Sequence, residues 1–464
     1  MTAGGRPPDP LLDLGRPVRV HVVGVGGAGM SAYASVLAAM GHQVTGSDLK
    51  PSPALDRLAS SGIGVFVGHR GTNVGEIDVL AVSSAVPDTN PEVVEARRRG
   101  VRVVSRAEVL AAIARQRRCI AVAGTHGKTT TTSMLALVLV EAGLRPSFLV
   151  GGDLNEIGTN AVWDSGEWLV VEADESDGTF LGLEPEIAVV TNIEADHLDF
   201  YGDFGQLRRA FESFCHGRPG GVVAGADDPE GAAVGRRAGA DLVGTSPDAT
   251  FRIDGLRSGR DGVAFDLVHD GSPVVSLVLP VPGTHNARNA AVAAVTAHRA
   301  GADFASAARA LARFAGVARR FEWRGEAGGV RYVDDYAHLP TEVAAALDAA
   351  VAGRWGRVVA VFQPHRYTRT AAVGDAFGPV FGSADVVVIT DVYAAGEQPL
   401  PGVTGRVVAD AVARSRPGKE VIYVAERSEL VDRMRSILRP GDLCLTLGAG
   451  DLTSLPDELL SAGR

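Results

Sequence analysis

The chain has 464 residues, of which 46% are hydrophobic and 22% charged, so it can bury the core of an ordinary globular protein. Its formal net charge of −10 argues against a protein that coats nucleic acid, which needs a basic face. Its three cysteines lack CxxC spacing, which argues against a disulfide framework or a zinc site. No run approaches the roughly 18 apolar residues of a membrane span, and residues 1–16 lack the features of a signal peptide. We therefore expect a cytoplasmic protein of three domains, at about 150 residues per domain.

The N-terminal part alternates predicted strands and helices. The apolar run at 18–26 predicts a buried parallel strand, and the spacing of apolar residues at 30–40 predicts a helix. Further strands are predicted at 43–45 and 79–83. The alanine- and arginine-rich segment 106–118 predicts a helical connector, which places a domain boundary between residues 107 and 108.

The rest of the chain repeats this alternation twice. Residues 249–279 alternate polar and apolar side chains between Gly-Asp turns, which predicts an antiparallel insertion. The other strands are predicted at 119–124, 168–172, 187–191, near 332, and at 358–362, 386–390, 421–424 and 443–447, with helices at 287–298 and 304–314. The pattern predicts three α/β domains in series, over residues 1–107, 108–320 and 321–464.

The first glycine cluster directly follows the first predicted strand. It has the form Gly24-x-Gly26-x-x-Gly29, and Asp48 ends the next strand 19 residues later. This is the dinucleotide-binding fingerprint, in which glycines let the backbone approach a diphosphate and the acid holds a ribose. Two interpretations stay open: an NAD-dependent enzyme, or a site for another nucleotide diphosphate, such as a UDP-sugar, at the helix N-terminus.

The second glycine cluster, AVAGTHGKTTTT at 121–132, has the order strand, loop, helix. Lys128 and Thr129 stand where phosphate-binding loops carry a lysine and a hydroxyl for magnesium. The full GxxxxGK[ST] pattern requires a glycine at the position of Val122, so this loop is a shortened relative. We predict that its backbone amides bind phosphates and that Lys128 neutralises their charge.

Acidic side chains follow two further strands of the same predicted sheet. Glu172 ends one strand and is followed by Ala-Asp-Glu-Ser-Asp, and TNIEADH at 191–197 follows the next. Carboxylates at the carboxyl ends of parallel strands face the ligand crevice. Not all of these groups can bind a metal. We choose Glu172 because it is nearest the strand, and His197 as a second metal or phosphate contact.

With these motifs the chain resembles the Mur ligase family, and the resemblance extends over nearly its whole length. Nine motifs stand in family order: GVGGAGMS (24–31), GTHGKTTT (124–131), EADESD (172–177), TNIEADH (191–197), GTHNARNAAVAA (283–294), RRFE (319–322), DDYAHLPTE (334–342), FQPHRYTRT (362–370) and DVYAAGE (391–397). The first, seventh, eighth and ninth look like those of the branch that adds L-alanine. Residues 129–418 contain no lysine, so the carbamylated lysine of several sister ligases is impossible here.

The resemblance implies a role for each residue that matches a motif. Catalytic roles are implied for Lys128, Glu172, His197, His338, Arg366 and Arg369, and magnesium ligands are implied at Thr129, Glu172 and His197. ATP contacts are implied for Gly124, Thr125, His126, Gly127, Lys128, Thr129, Thr130, His285, Asn286, Asn289, Arg320 and Asp335. UDP-sugar contacts are implied for Gly24, Gly26, Gly29, Ser31, Asp48, His69 and Ser84. Contacts with the amino acid and the muramyl carboxylate are implied for Tyr336, His338, Arg366 and Arg369, the two arginines sharing a face if helical.

The resemblance also implies a reaction in peptidoglycan precursor synthesis. ATP with Mg²⁺ would activate the carboxylate of UDP-N-acetylmuramate as an acyl phosphate, which the amine of L-alanine attacks. An N-terminal Rossmann-like domain would bind the UDP-sugar, and a central domain of the P-loop ATPase type, with a parallel sheet and a smaller antiparallel part, would bind ATP. A C-terminal Rossmann-like domain would close over the site and help to bind the amino acid. The sequence does not decide between a monomer and a homo-oligomer.

One position departs from the family pattern. The motif DDYAHLPTE usually carries a second histidine where this chain has Leu339. Either an amino-acid contact is lost there, or the position only packs against the following helix. Two other functions also stay open: a recycling ligase that adds a peptide to UDP-N-acetylmuramate, and a P-loop NTPase switch, which would not need the first glycine cluster.

Overall fold

The computed structural model describes residues 12–83, 85–154 and 157–461. Close Cα packing groups them into two compact units. Unit 1 comprises the described residues of 12–252, 269–272 and 289–310, and unit 2 comprises 253–268, 273–288 and 311–461.

The first sheet belongs to unit 1 and contains five parallel strands in the order β3-β2-β1-β4-β5. Because the strand order reverses at β1, a crevice opens at the carboxyl end of this strand. A capping box between Ser105 and Glu108 starts the last helix. The elements are β1 (Arg19–Val23), α1 (Ala28–Ala39), β2 (Gln43–Asp48), α2 (Pro53–Ser60), β3 (Gly64–Val67), β4 (Val79–Val82), α3 (Pro91–Arg98), β5 (Arg102–Ser105) and α4 (Arg106–Ala114).

The second sheet is mixed and has the order β15-β14-β13-β12-β11-β10-β6-β9-β7-β8. Its central strands are parallel, whereas β7 and β8 pair antiparallel. The elements are β6 (Arg118–Ala123), α5 (Lys128–Glu141), β7 (Ser147–Leu154), β8 (Thr159–Val162), β9 (Trp168–Glu172), β10 (Ile187–Val190), α6 (Leu198–Tyr201), α7 (Phe204–Cys215), β11 (Val222–Gly225), α8 (Pro229–Arg237), β12 (Asp241–Gly244), β13 (Phe251–Gly259), β14 (Gly262–His269), β15 (Ser272–Leu279), α9 (Thr284–Arg299) and α10 (Phe304–Leu311).

The third sheet belongs to unit 2 and has the order β16-β17-β21-β18-β19-β20. All its strand pairs are parallel except β16 with β17. The elements are β16 (Glu322–Ala327), β17 (Val330–Asp335), α11 (Pro340–Ala352), β18 (Arg357–Phe362), α12 (Tyr367–Val373), β19 (Val386–Thr390), α13 (Arg406–Ser415), β20 (Glu420–Val424), α14 (Leu430–Ile437), β21 (Asp442–Leu447) and α15 (Leu455–Ser461).

These sheets confirm the predicted architecture of three α/β domains. Strands β10, β18, β19 and β21 are buried almost throughout, as expected for parallel strands covered by helices on both faces. The domain boundaries at 107/108 and 320/321 stay predictions. Among the described residues, no helix is both long enough and apolar enough to span a bilayer.

Packing at the carboxyl end of β1 fixes the course of the first glycine loop. Gly46 in the middle of β2 is buried, and a Cβ atom there would lie 2.8 Å from Cβ of Val25 and 2.9 Å from the carbonyl oxygen of Val22. The strand therefore approaches the loop so closely that only glycine fits.

We predict that Gly46→Ala destabilises unit 1 by roughly 1–3 kcal/mol, because the added methyl group must displace Val25 or the β1 backbone. Differential scanning calorimetry would show this as a lower Tm. The control is Gly75→Ala, at an exposed glycine with no atom within 4 Å of the added Cβ. Equal Tm values for the two variants would contradict the packing argument.

Candidate active site

The loop between β6 and α5 is built around two glycines in unit 1. Gly124 and Gly127 have φ values of +134° and +80°, a region that favours glycine. A Cβ atom on Gly124 would overlap the hydroxyl of Thr191, and one on Gly127 would lie 2.6 Å from Oδ1 of Asn289. The loop leads into the N-terminus of α5, where free amides and the helix dipole favour a phosphate. The two glycines and the amides at the start of α5 thus form a phosphate cradle, in which the glycines are packed too closely to carry a Cβ atom.

The segment after β10 holds this loop in place. Asn192 accepts a hydrogen bond from the His126 amide (2.8 Å) with Oδ1 and donates one to the His126 carbonyl (3.1 Å) with Nδ2. The Thr191 hydroxyl donates to the same carbonyl at 2.5 Å, and the Glu194 amide donates to the Thr125 hydroxyl at 2.9 Å. The loop is therefore shaped before any ligand binds.

Lys128 forms an ion pair with Glu175. Its Nζ lies 2.9 Å from both carboxylate oxygens of Glu175 and also donates to the Gly124 carbonyl at 2.6 Å. The Glu175 side chain is almost completely buried, and the Tyr201 hydroxyl donates to its backbone carbonyl at 2.6 Å. Although burial opposes the charged form, Glu175, followed by Asp174, raises the pKa of Lys128. The lysine is thus held as a cation at the phosphate cradle.

Thr129 and Glu172 lie together, as the sequence predicts for a magnesium site. The Thr129 hydroxyl donates to Oε2 of Glu172 at 3.3 Å, and the Gly151 amide donates to Oε1 at 2.6 Å. The described part of the chain contains no group of three or more His, Cys, Asp or Glu side chains arranged to hold a metal by themselves. This donor set fits Mg²⁺, which usually keeps several waters and takes phosphate oxygens as further ligands.

His197, the second predicted metal ligand, lies at the start of α6. It has a positive φ of 55°, and its Nε2 is 3.3 Å from Oδ2 of Asp196. It follows strand β10, which pairs parallel with β6, and the phosphate loop follows β6. Both segments therefore leave the sheet at the carboxyl ends of these strands. Its role as a metal ligand stays a prediction.

Three of the residues predicted to contact ATP, His285, Asn286 and Asn289, lie on α9. In unit 1, Oδ1 of Asn289 packs against Gly127 of the phosphate loop, 2.6 Å from the position that a Cβ atom on Gly127 would take. In unit 2, Nδ2 of Asn286 donates to the Pro282 carbonyl at 2.7 Å, so this amide stabilises the start of the helix. Burial, and then nearby Arg288 and Arg320, lower the pKa of His285 to about 4, so its ring is neutral at pH 7.

The first glycine loop has the geometry that its motif predicts. Oδ2 of Asp48 accepts a hydrogen bond from the Gly26 amide at 2.8 Å, and a Cβ atom on Gly26 would lie 2.8 Å from the same oxygen. Gly24 has a φ of +78°, and Gly29 and Ser31 lie in the first turn of α1. Ser84, the other predicted contact, lies outside the described residues.

A buried carboxylate positions His69. Glu92 is fully buried and accepts from the Ser47 hydroxyl and the Asn73 amide group, each at 2.5 Å. Nδ1 of His69 lies 3.2 Å from the same carboxylate, which fixes the ring at the carboxyl end of β3. Although burial opposes ionisation, the nearby ring of His21, whose Nε2 lies 3.7 Å from the carboxylate, and the hydrogen bonds from Ser47 and Asn73 lower the pKa of Glu92 to about 2.

In unit 2, Arg320, Asp335 and Tyr336 are close together at the end of β17. The Arg320 guanidinium lies over the Tyr336 ring, 5.2 Å from its centre. Asp335 accepts hydrogen bonds from the Phe321 amide at 2.7 Å and the Ala337 amide at 2.8 Å. Burial outweighs these contacts and the Arg320 charge, and raises the pKa of Asp335 to about 6.

His338 and Arg369 face a histidine that the sequence reasoning missed. Arg369 donates from Nη1 to Nδ1 of His365 at 3.1 Å, and the rings of His338 and His365 are 5.6 Å apart. Burial is the largest cause lowering the pKa of both histidines, that of His365 to about 4. Arg366 precedes α12 with a φ of +68°, so it does not share a helical face with Arg369.

Leu339 is the N-cap residue of α11 and is buried. The amides of His338 and Leu339 both donate to Oε2 of Glu342, at 3.0 and 3.1 Å. Because leucine has no acceptor, only the glutamate half of a capping box is made. The burial supports the packing role for this position.

The structure adds four residues to those chosen from the sequence: Glu175, Asn192, His365 and Glu342. Each lies within a motif, so the motifs were the available signal. The motifs alone did not show which of their residues would be buried, or which side chain each residue would contact.

Parallel-sheet domains with a glycine loop at a strand end are typical of nucleotide-binding α/β proteins. Three family models match consecutive parts of this chain: "Mur ligase family, catalytic domain" at 19–118, "Mur ligase middle domain" at 122–297, and "Mur ligase, glutamate ligase domain" at 319–450. The chain belongs to the Mur ligase family.

Its relatives are similar over nearly the full length. It is 48% identical to UDP-N-acetylmuramate–L-alanine ligase of Rubrobacter xylanophilus, covering 96% of this chain and 100% of the relative. It is 49% identical to the Kineococcus radiotolerans protein of the same name, covering 96% of each. The crystal structure of UDP-N-acetylmuramate–alanine ligase from Thermotoga maritima has a TM-score of 0.82 and 30% identity, covering 96% of this chain and 99% of that one.

We predict that Lys128→Met both abolishes ATP binding and destabilises unit 1, because it leaves the buried Glu175 carboxylate without its cation. Breaking a buried pair in this way costs roughly 3–5 kcal/mol. Adding Glu175→Gln should restore most of the Tm but none of the ATP binding. Calorimetric unfolding and ATP titration would separate the two effects, and an unchanged Tm for Lys128→Met would contradict the structural role of the pair.

Proposed function

We propose that this chain is an ATP-dependent ligase that joins L-alanine to the carboxylate of UDP-N-acetylmuramate, giving ADP and phosphate, in peptidoglycan precursor synthesis. The observation that carries the proposal is the presence of two glycine loops within unit 1. One contains the phosphate cradle with Lys128, and the other contains the Asp48-linked diphosphate fingerprint. An NTPase switch would need only the phosphate loop with Lys128. The near-full-length similarity to proteins named for this reaction supports the same assignment.

The residues at the phosphate loop would bind and orient ATP. Lys128, held as a cation beside Glu175, would neutralise the terminal phosphates, and the amides at the start of α5 would hold their oxygens. Thr129 and Glu172 would bind Mg²⁺, with His197 as a second contact. The bound ion would offset the negative charge that develops on the phosphate oxygens.

The muramyl carboxylate would attack the γ-phosphorus, and the acyl phosphate formed would then react with the free amine of L-alanine. Arg366 and Arg369 of unit 2 are the cations that we assign to the carboxylates, since the planar fork of arginine suits such groups. His338 and His365 are held neutral, because burial lowers the pKa of each. A neutral imidazole can accept a proton from an amine nucleophile, and we assign this role to His338.

We place the protein in the cytoplasm, where its nucleotide substrates are present. The three cysteines are all buried and free, which suits a reducing compartment.

We predict that ADP release requires UDP-N-acetylmuramate and an amino acid together, with L-alanine preferred over D-glutamate, L-lysine and a tripeptide. The measurement is a coupled ADP assay with each substrate omitted in turn. The control is Lys128→Met with Glu175→Gln, which should release no ADP. Preference for the tripeptide would assign the chain as a recycling peptide ligase, and ADP release without the sugar nucleotide would indicate an NTPase switch.

A further inference from the structure

Two motif loops of unit 2, FQPHRYTRT and DVYAAGE, are joined by backbone hydrogen bonds. They follow β18 and β19, which are neighbouring parallel strands, so both loops lie at the carboxyl edge of the third sheet. His365 and Tyr393 form a bridge between them. The Tyr393 amide donates to the Pro364 carbonyl, and the Arg366 amide donates to the Tyr393 carbonyl, each at 2.9 Å. The second loop therefore fixes the course of the first one where it leaves its strand.

Side chains join the same two loops. The rings of His365 and Tyr393 are nearly parallel, with 13° between their planes and 5.8 Å between their centres. Glu397 accepts hydrogen bonds from the Thr368 amide at 3.0 Å and from the Thr368 hydroxyl at 2.7 Å. These contacts give the DVYAAGE motif a supporting role for the loop that carries Arg366 and precedes α12.

The contact with Arg369 decides which nitrogen of His365 carries the proton. Nη1 of Arg369 lies 3.1 Å from Nδ1 of His365, within the usual range of a hydrogen bond. A guanidinium can only donate, so Nδ1 must present a lone pair, and in a neutral imidazole the proton then lies on Nε2. Burial, and then nearby His338, Arg369 and Arg366, lower the pKa of His365 to about 4, so the ring is neutral at pH 7.

His338 has the opposite arrangement. Its Nδ1 lies 3.1 Å from the Tyr336 carbonyl oxygen and 3.3 Å from Oε2 of Glu342, both of which are acceptors. Nδ1 of this ring therefore carries the proton, and Nε2 presents the lone pair. His338 can thus accept a proton from an amine through Nε2, whereas the lone pair of His365 is used to hold Arg369. The two neighbouring histidines have different roles.

The hydrogen bond to His365 holds one edge of the Arg369 guanidinium. A guanidinium binds a carboxylate best when its planar fork faces both oxygens, so its orientation matters. A long side chain also loses conformational freedom when it binds, and holding it beforehand reduces that cost. An acceptor fixed by the Tyr393 stack provides such an orientation before a ligand arrives.

We propose that His365 is a positioning residue, which holds the guanidinium of Arg369 in the orientation that binds a substrate carboxylate. This inference rests on the proposed function, in which Arg369 binds such a group. Tyr393 and the DVYAAGE loop support the His365 ring in turn. Because L-alanine and the muramyl group each carry a carboxylate, the experiment measures both substrates.

The test compares two replacements of His365. His365→Asn keeps an acceptor at the place of Nδ1, because Oδ1 is also two bonds from Cβ, whereas His365→Phe keeps a ring beside Tyr393 without an acceptor. Steady-state kinetics would give the KM values for L-alanine, UDP-N-acetylmuramate and ATP, and calorimetry would give Tm. The control is His216→Phe, at an exposed histidine directly after α7 in unit 1.

We expect His365→Phe to raise the KM for one of the two carboxylate substrates about 10- to 150-fold, the effect of losing a hydrogen bond to a charged group. The KM for ATP should change less than about twofold, and His365→Asn should stay within about fivefold of the wild type. In an Arg369→Ala background, His365→Phe should add less than about twofold, because the residue to be positioned is gone. His216→Phe should behave like the wild type.

A rise in the KM for L-alanine or for UDP-N-acetylmuramate supports the proposal and identifies the carboxylate that Arg369 binds. Unchanged KM values in His365→Phe, an equal rise for ATP, an equal loss in His365→Asn, or additive losses with Arg369→Ala would each overturn it. If the Tm shows that His365→Phe does not fold, His365→Ala takes its place with the same expected KM values. Absence of wild-type turnover with ATP and both carboxylate substrates would refute the proposed function, and this assignment with it.

Discussion

The phosphate loop between β6 and α5 depends on the absence of a Cβ atom at Gly124 and Gly127. Both residues have positive φ, and both are packed against side chains that leave no room for a methyl group. With glycine there, the backbone turns sharply enough to bring Lys128 and Thr129 beside Glu172 and Glu175. The same constraint recurs at Gly26 beside Asp48. The positions of Lys128, Thr129 and Asp48 relative to their partners thus depend on these close backbone approaches.

Charge balance is the second requirement of these sites. Burying an unpaired charge is costly, and two buried charged groups near the loops have partners within the protein. Glu175 accompanies Lys128, and hydrogen-bond donors surround Glu92.

Unit 2 combines permanent cations with neutral rings. Arg319 and Arg320 lie over Tyr336, and Arg369 donates to His365. Burial and neighbouring cations keep His285 and His365 neutral at pH 7. Such a site attracts carboxylates through its arginines without adding protonated histidines, which have no free ring nitrogen to accept a proton from an amine nucleophile.

The sequence by itself determined the fold class, the two glycine loops and the strands that precede them, whereas strands such as β3, β5, β11 and β12 were not predicted. Apolar runs specify buried parallel strands, and the carboxyl ends of such strands gather at one edge of a sheet. Residues at a strand end, such as Glu172 and Asp48, or in the loop that follows one, such as Lys128, could therefore be placed from the sequence. The tertiary structure decided which of several similar side chains meet: Glu175 rather than its neighbours pairs with Lys128, and His365 faces His338. It also placed Arg366 before α12 with a positive φ. These contacts join residues far apart in the chain, and their geometry depends on packing that local periodicity does not encode.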